Sequence, residues 1–438
     1  MRERGGLRGG TGVGQQPGLG TSDRDPLARS GGKLPGPMRA DHIRRSDEMG
    51  ELMADGGSAV GARSCPTTHV ALIGEQRMPI YMAEKALGAR RFLAVVSGRT
   101  RSVADRLNMA LRGEGVDCLD PVEVSAYDLP AATEALRRVL AQLRSEGQVV
   151  VNLTGGTKIM ALAAYLVAAP EIPCCYVSTE TEELLFLEKG RVSKVPLRVE
   201  VSLREYLAVH GFDIVKTNEP SEDQKELARA FGTQAAEIAS LLESLHEFSK
   251  GARTTVPVQC PTPQEVELVT QLDERNILTR EEAPPLRFGL ADTSWQTFLC
   301  GGWLEVYTFE ALRESGRWDE VSCGLVVRAV DGSFENEFDV AAIRNGQLCL
   351  FSCKSGRNLL KAADKARRAM EELGFVSRRE RLGTYCQCFL VTASRDVKDA
   401  IRSRAQEWGI HLILLSDLPQ LANVVVERLE ATRKRGES

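Results

Sequence analysis

Aromatic residues make up only 5% of this 438-residue chain, and it holds only five histidines. The first scarcity excludes a surface on which nucleic-acid bases stack in series. The second, together with eleven cysteines that nowhere form a C-x-x-C pair, excludes a zinc framework. Cys174-Cys175, Cys349 with Cys353, and Cys386 with Cys388 read instead as small apolar side chains in strands. Cysteine usage of this kind suits a reducing, cytoplasmic setting. Neither sign of charge prevails: the formal net charge of −4 excludes a global pull toward nucleic acid and leaves room only for a local patch. No apolar run is long enough to span a membrane, and the N-terminal stretch lacks the apolar core of a signal peptide. Large apolar residues are also scarce in residues 1–66, which contain fifteen of the 39 glycines. Such a segment cannot bury enough surface to fold and is expected to be disordered.

What is present is 43% hydrophobic residues, enough at this length for two or three domains with real cores. From His69 onward, H-V-A-L-I-G, R-F-L-A-V-V-S, Q-V-V-V-N-L and I-P-C-C-Y-V-S alternate with helical stretches at Ser102–Arg112 and Ala131–Ser145. The alternation predicts a parallel α/β sheet with right-handed crossovers over residues 67–202. Glu183–Phe186 would add a strand, and V-P-L-R-V-E-V-S would close the sheet. Residues 203–298 read as a mainly helical linker, with helices at Leu203–His210, Ser221–Lys250 and from Thr262. There T-P-Q-E forms a capping box with proline at the first helical position, and the stretch after it is compatible with a winged helix. Residues 299–438 run helix, three strands, helix, strand, helix, strand, helix, which predicts a second α/β domain.

That last domain carries N-E-F-D-V-A-A-I-R-N-G-Q-L-C-L-F-S-C-K-S-G. Asn345-Gly346 is a two-residue hairpin signal between two apolar runs. It places Asp339 on one strand and Lys354 at the end of its partner. Upstream, G-G-W-L-E-V-Y-T-F-E-A-L reads as a helix that brings Glu305 to the same edge. Two carboxylates and a lysine suit phosphodiester hydrolysis. The carboxylates hold Mg²⁺ or Mn²⁺ through oxygen, the metal polarises the phosphate and acidifies a water, and the lysine orients that water or neutralises developing charge. The segment from Lys354 to Arg381 carries nine basic residues against four acids. Arg357, Lys361, Lys365 and Arg368 recur there at helical spacing, a candidate phosphate-tracking face.

In the first domain, Val149–Leu153 reads as a strand, Thr154-Gly155-Gly156-Thr157-Lys158 as a tight turn and Ile159–Ala168 as a helix. Such a turn aims free backbone N–H groups and the positive helix end at an anion. The spacing is neither that of a Walker A loop nor that of a dinucleotide fingerprint. Two further strand-to-loop turns, Ile73-Gly74-Glu75-Gln76-Arg77-Met78-Pro79 and Val96-Ser97-Gly98-Arg99-Thr100, would gather beside it at the carboxyl ends of parallel strands.

The string N-L-T-G-G-T-K resembles the ligand loop of CARF domains, the Rossmann-like sensors of cyclic oligoadenylates in type III CRISPR systems. The order Glu305, Asp339, Lys354 resembles the PD-(D/E)xK restriction-endonuclease-like fold. In this order the two resemble the CARF-nuclease effectors over about residues 67–438. The resemblance implies a homodimer with one cyclic ligand, such as cyclic tetra-adenylate, across its two-fold axis. It implies ligand contacts from Gly74, Gln76, Arg77, Pro79, Ser97, Gly98, Arg99, Thr154, Gly155, Gly156, Thr157 and Lys158. It also implies DNA or RNA as substrate. One position departs from the pattern: where the family has Glu or Gln two residues before the lysine, this chain has Ser352. Ser352 is then the third metal-site position beside Glu305 and Asp339, with Glu337 or Glu310 as substitute acids. Two other readings stay open, a catalytically inactive sensor or transcription regulator and a ring nuclease that degrades its own ligand. No histidine occurs in the three loops, which disfavours acid–base chemistry there.

Overall fold

The computed structural model describes residues 67–438 apart from 170, 189–190, 251–254, 259–260, 282–285, 356–367, 369, 375–381, 384–385 and 437–438. The first domain runs β1 (Thr68–Leu72), α1 (Met78–Leu87), β2 (Arg91–Val96), α2 (Arg101–Gly113), β3 (Asp117–Cys118), β4 (Val122–Glu123), α3 (Leu129–Glu146), β5 (Val149–Asn152), α4 (Lys158–Ala168), β6 (Cys174–Ser178), β7 (Glu183–Glu188) and β8 (Arg191–Pro196). The strands form one sheet in the order β3-β2-β1-β5-β6-β7-β8, with β4 also on β2. Strands β1 to β6 are parallel where they pair, and β7 and β8 return antiparallel. The sheet is closed by residues 191–196 rather than by the expected V-P-L-R-V-E-V-S, whose later residues lie outside any strand. Strand order reverses at β1, which has β2 on one side and β5 on the other. An open α/β sheet forms its ligand crevice at such a switch point.

The middle segment holds α5 (Leu203–His210), β9 (Phe212–Asn218), α6 (Glu222–Thr233), α7 (Ala239–His246), β10 (Thr255–Pro257), α8 (Pro263–Glu274), β11 (Leu278–Glu281) and β12 (Arg287–Leu290). The predicted single helix over 221–250 is therefore broken. Ala235 and Ile238 are buried in the turn between α6 and α7, so the break lets both helices bring their apolar faces to one core. Thr262 caps α8 with the expected reciprocal bonds to Glu265. Helix α8 lies in the chain between the first and second strands of a three-stranded antiparallel sheet ordered β10-β12-β11. Strand β9 departs from the expected helical linker, because it pairs with the first strand of the second domain.

That domain comprises α9 (Trp303–Glu314), β13 (Glu320–Ala329), β14 (Glu335–Arg344), β15 (Gln347–Lys354), β16 (Gln387–Thr392), α10 (Asp399–Glu407), β17 (Ile410–Ile413) and α11 (Leu421–Gly436). Its six-stranded sheet is ordered β17-β16-β15-β14-β13-β9. Strand alternation divides the sheet between two cores. Val340, Ala342, Cys349 and Phe351 pack with Trp303, Leu304 and Tyr307 of α9. Ala341, Ile343, Leu348 and Leu350 instead join Met82 of α1 and Tyr206 and Leu207 of α5 in a core that continues to Ala71, Phe92 and Ala94 of the first sheet. Helices α1 and α5 thus lie between two sheets and belong to the cores of both domains.

Candidate functional site

The hairpin turn forms as the sequence predicts: Asn345 and Gly346 have φ of 46° and 68°, the pair of positive values a type I′ turn requires. The register sets Val340 across from Phe351, so Asp339 comes beside the end of β15. Asp339 Oδ2 accepts the backbone N–H of Cys353 at 2.6 Å, faces Lys354 Nζ at 3.1 Å and takes the Ser352 hydroxyl at 3.4 Å. The Cys353 N–H is a contact that residue types alone do not announce. Ser352 sits on Asp339 and helps to orient it.

Glu305 enters from the first turn of α9, which follows a π-helical turn at Phe298–Gly302. Gly301 in that turn faces Ser355 closely: a Cβ would lie 2.6 Å from its Oγ. Ser355 Oγ in turn donates to Cys300 O at 3.3 Å. The residue after Lys354 is thereby fixed against the start of α9. Burial first, then the charges of Asp339 and Glu337, push the Glu305 carboxyl up to about 7, with Lys354 opposing them. For Lys354 burial works against the ammonium, but Asp339 outweighs it and the group is held above its usual range. A firmly protonated lysine stabilises anionic charge and does not act as a base.

Glu310, a candidate substitute acid, lies elsewhere. It is fully buried and paired with Arg229 at 2.6 Å and Arg313 at 2.7 Å. Five residues beyond Glu305 the helix has turned well over a quarter-circle away. Glu337 is exposed two residues before Asp339 and contributes to the field at Glu305. Among the described residues no three His, Cys, Asp or Glu side chains converge closely enough to form a metal-holding group. The set that is present is Glu305 and Asp339, two hard oxygen donors. Magnesium takes that pattern when waters and substrate phosphate complete its shell. Of the predicted basic face, Arg368 is exposed, while Arg357, Lys361 and Lys365 lie outside the described residues.

At the switch point the turns after β1 and β5 meet, and the turn after β2 lies at the neighbouring strand end. A Cβ on Gly155 would lie 2.0 Å from Leu72 O, and one on Gly74 would lie 3.1 Å from Gly156 N. The two loops are thus in backbone contact, which only glycine permits. Asn152 Oδ1 accepts both the N–H of Thr154 (2.9 Å) and its hydroxyl (2.5 Å). The Thr154 oxygen accepts Val177 N–H at 2.8 Å. Thr157 caps α4 through Met160 N–H and donates to Ala126 O at 2.6 Å. Both threonine hydroxyls are spent on building the loop, and Asn152 is an organiser that its place in N-L-T-G-G-T-K foreshadowed. Gly98, Arg99, Gly156 and Lys158 are exposed along this edge, with Gln76 half-buried.

Three expected ligand contacts are buried instead. Pro79 starts α1. Ser97 is tied to Thr100, whose Oγ1 accepts the Ser97 N–H at 2.9 Å. Arg77 is 7% exposed, its Nε has no hydrogen-bond partner among the described residues, and burial followed by Arg106 lowers its guanidinium to about 10. It lies by Tyr206 and His210 rather than on the loop edge.

Fold and site together define a sensing domain of CARF type joined to an endonuclease domain. Residues 68–206 match the family described as the Card1 CARF domain, and residues 292–432 match the Card1-like endonuclease domain. The chain belongs to the CARF-domain nuclease effectors. Can2 from Sulfobacillus thermosulfidooxidans, solved in complex with cyclic tetra-adenylate, is similar with a TM-score of 0.68 and 20% identity, covering 83% of this chain and 97% of that one. Protein VC1899 from Vibrio cholerae is similar with a TM-score of 0.67 and 19% identity, covering 82% and 97%. At these identities the likeness is one of fold. No curated protein matches the chain.

Proposed function

We propose that the chain is an endonuclease of type III CRISPR defence, activated by a cyclic oligoadenylate, dependent on Mg²⁺ or Mn²⁺, and cutting DNA or RNA with little sequence preference in the cytoplasm. The observation that carries this reading is the convergence of Asp339, Lys354 and Glu305 in the endonuclease domain. A divalent ion held by Glu305 and Asp339 would supply Lewis acidity at the scissile phosphate. Lys354, held protonated beside Asp339, neutralises charge gathering on the phosphate oxygens. The Cys353 N–H and Ser352 hydroxyl fix the Asp339 carboxylate. The basic segment after Lys354 binds the backbone without reading bases.

Cyclic tetra-adenylate is the activator this reading favours, since Can2 carries it on the same fold. Its phosphates would meet the glycine turns and Lys158 at the N-terminus of α4. Leu162 and Leu166, 46% and 55% exposed one turn apart on that helix, continue from Lys158. They give a second copy an apolar face to cover, placing a symmetric ligand on a two-fold axis.

The test is cleavage of labelled single- and double-stranded DNA and RNA with Mn²⁺ or Mg²⁺, with and without each cyclic oligoadenylate. Asp339→Ala and Lys354→Ala should each lower the ligand-stimulated rate by about 10²–10³-fold while leaving ligand affinity, measured without metal or nucleic acid, unchanged. Near-normal cleavage by either variant would remove the assignment.

A further inference from the structure

The Asn345-Gly346 turn at the far end of the Asp339–Lys354 hairpin rests on the sensing domain. Gly346 meets Met82 of α1 so closely that a Cβ would lie 2.4 Å from Met82 Sδ, and Met82 is only 4% exposed. On the other side, the N–H of Asn345 donates to Asp319 Oδ2 at 2.7 Å. The same carboxylate takes the N–H of Val201. Val199 N–H donates to Asn345 Oδ1 at 3.4 Å, and Leu203 N–H, opening α5, donates to Glu320 Oε2 at 2.7 Å. The turn is therefore gripped between α1 and the segment leading into α5.

The path on either side is short. Helix α1 begins at Met78, directly after the Gly74–Arg77 turn at the switch point. Met82 lies one helical turn further on, about 6 Å along the axis. From the turn the paired strands run to Asp339 and Lys354, about 20–25 Å away at the rise of a strand. Pairing from Val340–Phe351 to Arg344–Gln347 makes these strands one body. Glu305 sits on a helix that packs on the hairpin through Val340, Cys349 and Phe351 but has further anchors that the hairpin does not share. Its helix is anchored through Glu310 to Arg229 of α6 at 2.6 Å, and by the Tyr307 hydroxyl donating to Leu418 O at 2.6 Å. A tilt of the hairpin at its turn works against those separate anchors of α9, and so bears on how Asp339 meets Glu305, while the Asp339–Lys354 contact travels intact.

We propose that Met82, Asp319 and the Asn345-Gly346 turn are positioning residues that pass occupancy of the switch-point crevice to the spacing between Glu305 and the Asp339–Lys354 hairpin. The inference rests on the ligand-gated reading and names the contact through which that gating acts. Met82 is buried against Gly346 in a close-packed core, so a shift of α1 reaches the turn. Linkage makes the coupling reciprocal: metal and substrate at the hairpin should tighten ligand binding by the factor by which ligand tightens theirs.

The experiment uses the full chain, cyclic tetra-adenylate, Mn²⁺ and the substrate that wild type cleaves best. Met82→Ala and Asp319→Asn are expected to keep the ligand Kd within about threefold of wild type and the ligand-free rate unchanged. The ligand-stimulated kcat should fall at least tenfold with KM for nucleic acid unaltered, and Met82→Leu should restore it. Wild-type activation in both Met82→Ala and Asp319→Asn overturns the inference. So does an equal loss of ligand-free and ligand-stimulated rates that Met82→Leu fails to rescue. If Met82→Ala does not fold, Asp319→Asn decides alone, because asparagine keeps the size and one acceptor oxygen but loses the charge that holds both N–H groups. A wild type that cleaves equally with and without ligand overturns the gating reading and this inference with it. Normal wild-type gating with undiminished variants overturns the inference only.

Discussion

Glu305 shows how one residue's surroundings set its chemistry. Its carboxyl is pushed up to about 7, by burial first and by Asp339 and Glu337 after that. Below pH 7 it therefore carries a proton that a metal must displace. Bound protons compete with metal at carboxylate ligands, so the apparent Mn²⁺ affinity of the ligand-bound enzyme should rise about tenfold per pH unit up to 7 and flatten above it. Calorimetric titration of Mn²⁺ between pH 5.5 and 8 checks this. Glu305→Gln, which has no proton to lose, should bind weakly at every pH. A wild-type affinity that is flat across that range would place the metal away from Glu305. Lys354 is expected to contribute no inflection near neutrality, since its ammonium is held above the usual range. Ser352 takes no metal role in this picture. Its hydroxyl touches Asp339 at 3.4 Å, and Glu337 is the acid on hand to offset the missing family carboxylate.

At the scale of elements, the switch-point turn separates residues that build a site from residues that face a ligand. Gly155 has no room for a side chain, with Leu72 O and Gly74 N at 2.0 and 2.8 Å from a Cβ position. Both are backbone atoms that cannot step aside. Gly155→Ala should lower stability by about 1–3 kcal/mol and weaken cyclic tetra-adenylate binding at least tenfold. Lys158→Ala, on an exposed side chain, should weaken binding without moving Tm. Calorimetry and thermal melts on both variants distinguish the two classes, and an unchanged Tm in Gly155→Ala would refute the packing argument. The strand–turn–helix and the Asn-Gly hairpin were legible in the sequence because each depends on local rules: positive φ at glycine, a threonine cap, an apolar run. Arg77, Ser97 and Pro79 were not, because exposure is decided by what folds over a loop. The chain has one spacing for a buried arginine and an exposed one. The break after Thr233 and the pairing of β9 with β13 were equally hidden, since both answer to cores assembled from distant residues such as Phe298, Trp303 and Leu325. Glu310 misled for the opposite reason. It lies near Glu305 in sequence, yet helical rotation gives it to Arg229 and Arg313.

Across the whole molecule, helices α1 and α5 serve two sheets at once, and this joins the stability of the sensor to that of the nuclease. His210 sits at that seam. Its Nδ1–H donates to Tyr206 O at 2.8 Å, its ring stacks on Tyr206, and a Cβ on Gly383 would lie 3.0 Å from its Nε2. Burial above all, with Arg77 and Arg106 adding to it against the Tyr206 carbonyl, pushes the imidazole down to about 3. The unfolded chain accepts a proton near 6.5 that the native state refuses until about 3. Stability from this group is therefore intact above 6.5 and is lost progressively as pH falls through that window. The loss is about 2 kcal/mol by pH 5. Because the core is shared, that cost should fall on both domains together, giving one unfolding transition that moves with pH rather than two that separate. Urea unfolding at pH 7 and pH 5, followed by fluorescence and by far-ultraviolet circular dichroism, should show coincident curves. Wild type should lose about 2 kcal/mol more than His210→Gln between the two pH values. Equal losses in the two proteins would show that the histidine charges without resistance. Two separated transitions would show that the sensor and the nuclease fold independently, contrary to the continuous packing of Met82 and Tyr206 with Ile343 and Leu350.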